Sequence, residues 1–241
     1  MNKIKKFLLV FVMVVLLCGC TKNTTEEKKE KVTDETVITA IKNQITALES
    51  LDKTEELYKK GEGKSEDYTN EDKLRYGLEA RISSAAVTAL TPTEIQYLAS
   101  RNILNVTSYV DSSEVSKYIG KNFASSTVDF VNLSGCPAYY FDSNNSRFYI
   151  QTQCVSQDTS TIYSYIDSVE MKDNVYYVTV YAGLSDGTNL YNDFNKSKVV
   201  VDITSNQEYT ISDNDKKDYT VFTYKFEKNT NGDYIFKEFN K

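Results

Sequence analysis

Phe222-Thr-Tyr-Lys-Phe-Glu-Lys-Asn-Thr-Asn-Gly-Asp-Tyr-Ile-Phe-Lys-Glu-Phe239 decides the fold. Aromatic residues at 222, 224 and 226 alternate with polar ones, the period of a strand with one buried face. Thr230-Asn231-Gly232 fits a three-residue hairpin loop with Gly at the left-handed position. That loop sets Phe226 opposite Phe236 and Lys228 opposite Tyr234, giving one aromatic face. A two-residue Asn-Gly turn would pair Phe226 with Lys237 instead, so the first register is the expected one.

Working back from this hairpin, the same period of two holds as far as residue 126. Strands are expected at 126–133, 137–142, 147–154, 160–171, 174–184, 197–204, 206–211, 219–228 and 233–239, all rich in Val, Ile, Thr, Tyr and Phe. Short loops join them, which makes the sheet mostly antiparallel. Before residue 126 the apolar spacing changes to three and four. Asp34 can cap a helix carrying Val37, Ile38, Ile41, Ile45, Leu48 and Leu51, running on through Leu57 and Tyr58 to stop at Gly61. A second helix is expected from Thr69 or Asn70, with Leu74, Leu78 and Ile82 on one side. Thr91-Pro92-Thr93-Glu94 is a capping box with Pro at the first helical position, opening a third helix through Leu98. Asp111-Ser-Ser-Glu114 opens a fourth that stops at Gly120. Helices followed by a sheet give an α+β fold, with a helical region over 34–125 and a sheet region over 126–241, or one α+β domain spanning 34–241.

Val175-Tyr-Tyr-Val-Thr-Val-Tyr181 together with the 222–239 hairpin resembles the NTF2-like (cystatin-like) domains of bacterial lipoproteins. The resemblance implies a curved antiparallel sheet behind the N-terminal helices. It carries no chemistry, since such a scaffold hosts unrelated functions.

The N-terminus has the form of an export signal over residues 1–19. Lys3, Lys5 and Lys6 precede eleven apolar residues, Phe7 to Leu17, too short a run to span a bilayer comfortably. Leu17-Cys18-Gly19-Cys20 then resembles the lipobox of bacterial lipoproteins. The resemblance implies a diacylglyceryl thioether on Cys20 and cleavage before it, several acyl chains on one residue being what makes an anchor stable. Cys18 is the poorer candidate because a bulky Leu17 precedes it. Residues 20–33 read as a polar tether, with a reach on the order of 20 Å as a flexible coil.

Composition narrows the functions. The 241 residues contain no His, which removes the commonest general base and metal ligand and with them Ser-His-Asp, Cys-His and His-zinc chemistry. Net charge is −6, without the basic excess of a nucleic-acid binder. Loss of the leader removes three of 28 basic residues and none of the 34 acids, leaving −9, so the exported body is repelled by anionic headgroups.

With Cys18 removed and Cys20 acylated, Cys136 and Cys154 remain. A hairpin centred on Asn145 would set them directly opposite one another, close enough for a disulfide; the alternative is two buried reduced thiols. Ser50-Leu-Asp-Lys53 and Ser212-Asp213-Asn214 match two of the three motifs of penicillin-recognising enzymes, but the third, K-T-G or K-S-G, is absent, and a solvated helix face plus a polar turn explains both. Asp213, Asp215 and Asp218, and the Asp142–Ser146 turn, offer oxygen ligands without the Gly and closing Glu of a calcium loop. Tyr163, Tyr165, Tyr176, Tyr177 and Tyr181 are candidates for a binding surface, large and rigid with polar tips, set against the alternative that Tyr is simply the strand former here.

The expectation is therefore a lipid-anchored protein on the extracytoplasmic face of a cell membrane. It binds an envelope protein or wall component without catalysis, cofactor, metal or nucleic acid. The alternatives are a metal-independent carboxylate hydrolase of wall material and an inhibitor or adaptor of an envelope enzyme.

Overall fold

The computed structural model describes residues 29–84, 87–124, 126–151, 161–202 and 209–241. The fold is α+β, with N-terminal helices leading into mostly antiparallel sheets. Among the described residues the α-helices are α1 (Glu35–Glu49), α2 (Asp52–Lys60), α3 (Asn70–Ser83), α4 (Pro92–Ser100) and α5 (Ser112–Asn122). The strands are β1 (Glu30–Lys31), β2 (Glu62–Lys64), β3 (Thr88–Ala89), β4 (Val106–Asp111), β5 (Ala138–Asp142), β6 (Arg147–Gln151), β7 (Thr161–Lys172), β8 (Val175–Ser185), β9 (Asn189–Tyr191), β10 (Val199–Asp202), β11 (Thr220–Lys228) and β12 (Tyr234–Asn240).

The larger sheet runs β1-β7-β8-β11-β12-β2, with β9 also paired to β8 and β10 to β9. Its last hairpin has the expected register, Phe226 opposite Phe236 and Lys228 opposite Tyr234, followed by a bulge after Lys225 that brings Tyr224 opposite Phe239. The smaller sheet runs β3-β4-β6-β5. It draws strands from both sides of residue 126, so the helical region expected over 34–125 also contributes β2, β3 and β4.

Local signals set the helix ends. Asp34 accepts the Thr36 N–H at 2.9 Å, and Thr69–Asp72 and Thr91–Glu94 each form the reciprocal capping pair. The long first helix is broken at Ser50-Leu51, where Leu51 turns extended and buries its side chain; α2 then ends at Gly61 with φ +86°. Helix α5 runs through Gly120 to Asn122, and Asp111 gives it no side-chain cap.

Helices α1 to α3 cover the inner face of the larger sheet. Ile41, Ile45, Leu48, Leu57 and Tyr58 pack there on Val178, Val180, Phe222, Tyr224 and Phe239, and the Tyr58 ring stacks on Phe222 at 4.0 Å between centroids. Helix α3 is apolar on two sides. Tyr76 and Ala80 join that core, while Leu74 and Leu78 join a second one with Val115 and Ile119 of α5 and Val110, Phe148 and Ile150 of the smaller sheet. On the far face of that sheet, Leu98 of α4 meets Tyr109 and Tyr149. The layers thus share α3 as a common wall.

Further expectations change. Residues 209–211, the described part of the strand expected over 206–211, form no strand. Residues 126–133 form no strand; only Leu133 makes a bridge, to Tyr139, while Val128 and Phe130 pack on the second core from an irregular backbone. The β5–β6 hairpin pairs Phe141 with Phe148 and Ala138 with Gln151, one residue off a hairpin centred on Asn145, because its turn takes four residues, 143–146. The segment 20–33 is not a tether throughout, since β1 pairs with Glu170 and Met171 and the Val32 N–H donates to the Val169 carbonyl at 2.8 Å. No helix among the described residues is long and apolar enough to cross a membrane.

Candidate functional site

The break between α1 and α2 turns Glu49, the last residue of α1, toward β7. Its Oε1 accepts the Tyr58 hydroxyl at 2.8 Å and its Oε2 accepts the Ser164 hydroxyl at 2.6 Å. The Tyr58 hydroxyl also meets that of Tyr224. With Tyr58 donating to the carboxylate, the Tyr224 proton points to Tyr58, so the three groups form one chain from the buried tyrosines to the partly buried Glu49. Burial drives the Glu49 carboxyl up to about 7, against the lowering by its bonds to Ser164 and Tyr58. The same burial raises Tyr58 and Tyr224 well above the usual phenol range.

Beside Glu49 lies a cavity of about 340 Å³, lined by Thr46, Ser50, Asp52, Glu55 and Thr161. A second cavity of about 360 Å³ shares Thr46 and continues between α1 and β7, from Ser164 to Ile166, with Ile38 and Lys42 on one wall and Thr210 and Ile211 on the other. Together they follow one edge of the larger sheet. The sequence carried no motif for this place. Glu49 is one of 34 acids, and its distinction comes from two distant donors, Tyr58 and Ser164.

The five candidate tyrosines do not share a face. Tyr176 points inward, 7 % exposed, and meets the Tyr234 ring edge-on at 5.1 Å. Tyr163, Tyr165, Tyr177 and Tyr181 lie on the outer face, where strand alternation puts them. Tyr163, Tyr165 and Tyr181 pack with Leu190, Ile211 and Tyr219 rather than forming an open patch. Gly183 makes room for that cover: a Cβ there would sit 2.3 Å from the Tyr191 carbonyl oxygen and 2.7 Å from Tyr219. The Tyr165 hydroxyl donates to Asp213 at 2.7 Å, and Lys216 bonds Asp167 and Asp213 with its ammonium 5.5 Å above the Tyr165 ring. Tyr177 carries Lys29 over its ring at 3.8 Å.

The remaining candidates have local partners. Ser50 donates to the Ala47 carbonyl while Lys53 pairs with Glu56, and Ser212 donates to Asp215, so neither serine is set against a lysine. Asp142 accepts from the Asn144 backbone and the Asn145 side chain, closing its own turn. No three acidic or thiol groups among the described residues converge as a metal site would need. Cys136 is disulfide-bonded, and it lies before the β5 ladder, not within it. Cys154, and Cys18 and Cys20 of the expected lipobox, lie outside the described residues. No known protein family, curated protein or solved structure matches the chain.

Proposed function

We propose that this chain is a lipid-anchored, extracytoplasmic binding protein of a bacterial envelope. The observation that carries the reading is Leu17-Cys-Gly-Cys20 directly behind a basic start and eleven apolar residues. The first described residue, Lys29, follows Cys20 by nine positions, so an anchor at Cys20 holds the body within about 30 Å of the acylated residue. Binding rather than catalysis is the reading we favour, because each Glu49 oxygen accepts a bond from one of the chain's own hydroxyls and the carboxyl thereby ties the end of α1 to α2 and β7. The role is to hold an envelope protein or wall component close to the membrane.

Metabolic labelling with a palmitate analogue tests the anchor. Label should enter the membrane fraction with the native chain and vanish with Cys20→Ala, whereas an unmodified N-terminal segment or a cytosolic full-length pool overturns it. A second reading, a carboxylate hydrolase acting on wall material, is favoured by the near-neutral Glu49 beside a cavity. It requires that Glu49→Gln abolish release of soluble wall fragments.

A further inference from the structure

On the outer face of the larger sheet a cavity of about 470 Å³ crosses β8, β11, β12 and β2 in turn. Val175, the first residue of β8, lines one end, and Lys64 of β2 with Ser65 and Glu66 lines the other. Three strand spacings separate these ends, about 14 Å. Between them stand Lys225 and Glu227 of β11 and Lys237 and Glu238 of β12. The bulge after Lys225 gathers these charges. Lys225 pairs in register with Glu238 and Phe226 with Phe236, so Lys237 is the extra residue and lines the outer face together with its neighbour Glu238. Strand β2 then sets Lys64 opposite Glu238.

The lining therefore holds three ammonium groups, from Lys64, Lys225 and Lys237, and three carboxylates, from Glu66, Glu227 and Glu238. The two signs are interleaved, with Lys225 3.4 Å from Glu238 and Lys237 2.7 Å from Glu227. Both pairs are partly exposed, and such pairs contribute little to stability, so a ligand can exchange partners with them at small cost. A polyanion would meet three carboxylates here, and a polycation three ammonium groups. Each loses to one sign what it gains from the other. A ligand bearing both charges gains from both. A neutral sugar would need an aromatic platform, and the ring paired with Lys225, Tyr177, already lies beneath Lys29 at 3.8 Å.

We infer that this cavity binds a short peptide of about four residues that carries both an ammonium and a carboxylate group. This rests on the binding-protein reading above and names the ligand class. Four residues at full extension span about 14 Å, the distance from Val175 to the Ser65 end. A longer protein segment gains no further contact inside the cavity beyond its central four residues. Of the two partner classes, the wall component is thus the one that fits.

The test uses the full-length chain in non-ionic detergent micelles, titrated in a calorimeter with the capped tetrapeptide acetyl-Ala-Lys-Ala-Glu-amide. Twins with Lys at both charged positions, or Glu at both, serve as comparisons. The balanced peptide should bind saturably and each twin about tenfold more weakly. Its binding should move the amide resonances of Lys225, Glu227 and Lys237. Glu227→Gln with Lys237→Met removes one ion pair, and it should weaken the balanced peptide about tenfold with the melting temperature unchanged. Lys64→Ala leaves both pairs in place and should weaken it several-fold. Equal binding of all three peptides, full binding by both variants, or resonance changes confined to other strands overturns the inference. So does tenfold tighter binding of the same core flanked by two Ser-Ala units, because a protein segment is then the occupant. None of these outcomes bears on acylation of Cys20 or on wall-fragment release through Glu49, which the labelling and Glu49→Gln experiments decide separately.

Discussion

Gly77 of α3 lies so close to Ile119 of α5 that a Cβ on it would stand 2.8 Å from Ile119 Cγ1 and 3.3 Å from Val115 Cγ1. Helix α3 is the wall between the two cores, so this contact fixes how near the smaller sheet comes to the larger one. Gly77→Ala gains up to about 1 kcal/mol of helix propensity but must push the two helices apart, a cost of about 1–3 kcal/mol. Net destabilisation is expected in urea denaturation. Gly120, on the exposed side of α5 with nothing within 4 Å of its Cβ position, supplies the control. Gly120→Ala should stabilise by about 0.5–1 kcal/mol. If both substitutions stabilise, the α3–α5 seam is looser than described.

Glu49 makes stability depend on pH with a definite sign. Its carboxyl titrates near 7 in the fold against an ordinary 4.5, so between these values the folded state holds a proton that the unfolded chain has lost. The favourable contribution is complete below about pH 4.5 and disappears as pH rises through 7, a difference on the order of 3 kcal/mol. Glu49→Gln keeps an acceptor for Tyr58 and removes the charge. Its stability should gain on the parent steadily from pH 5 to 8. Parallel profiles for the two proteins would show that the carboxyl is solvated.

The elements legible in the sequence are those governed by neighbours along the chain. Thr91-Pro-Thr-Glu94 forms its capping box because all four residues are in one turn, and Asn231-Gly232 sets Phe226 against Phe236 because the loop fixes the register. Alternation reports burial, not pairing, which is why 126–133 reads as a strand although Val128 and Phe130 are buried by an irregular segment. Strand β4 escapes notice for the converse reason. Val106, Tyr109 and Val110 face two different cores, so the segment lacks a clean period of two. The Glu49 site depends on contacts with Tyr58, Ser164 and Tyr224, up to 175 positions along the numbering from the carboxylate, and no local pattern encodes them.

Arg147 joins α4 to the smaller sheet. Its guanidinium is 3.1 Å from Glu94, 3.6 Å from Asp111 and 3.9 Å above the Tyr109 ring, so one planar group serves two carboxylates and an aromatic face. Glu94 is also the capping residue of α4, which links the helix start to this strand. Arg147→Lys keeps the charge but cannot spread across all three partners, and a loss of about 1 kcal/mol is expected in thermal denaturation. A Lys variant as stable as the parent would reduce the contact to a screened surface pair.

Adjacent tyrosines on β8 should behave oppositely, because strand alternation sends them to opposite faces. Tyr176 is buried against Tyr234, so Tyr176→Ala opens a cavity in the main core and should cost about 3–5 kcal/mol. Tyr177 is half-buried on the outer face beneath Lys29, which also reaches Glu170 at 4.0 Å. Tyr177→Ala should cost only about 1 kcal/mol globally, the scale of an exposed cation–π contact plus partial burial. Its larger effect is local. Lys29 is next to Glu30, the first residue of β1, and losing its aromatic seat should free β1 from β7, so the Val32 amide should exchange several-fold faster while the Tyr224 amide keeps its protection. Equal acceleration at both amides would mean that β1 opens only with the whole fold, and that its docking does not depend on this contact.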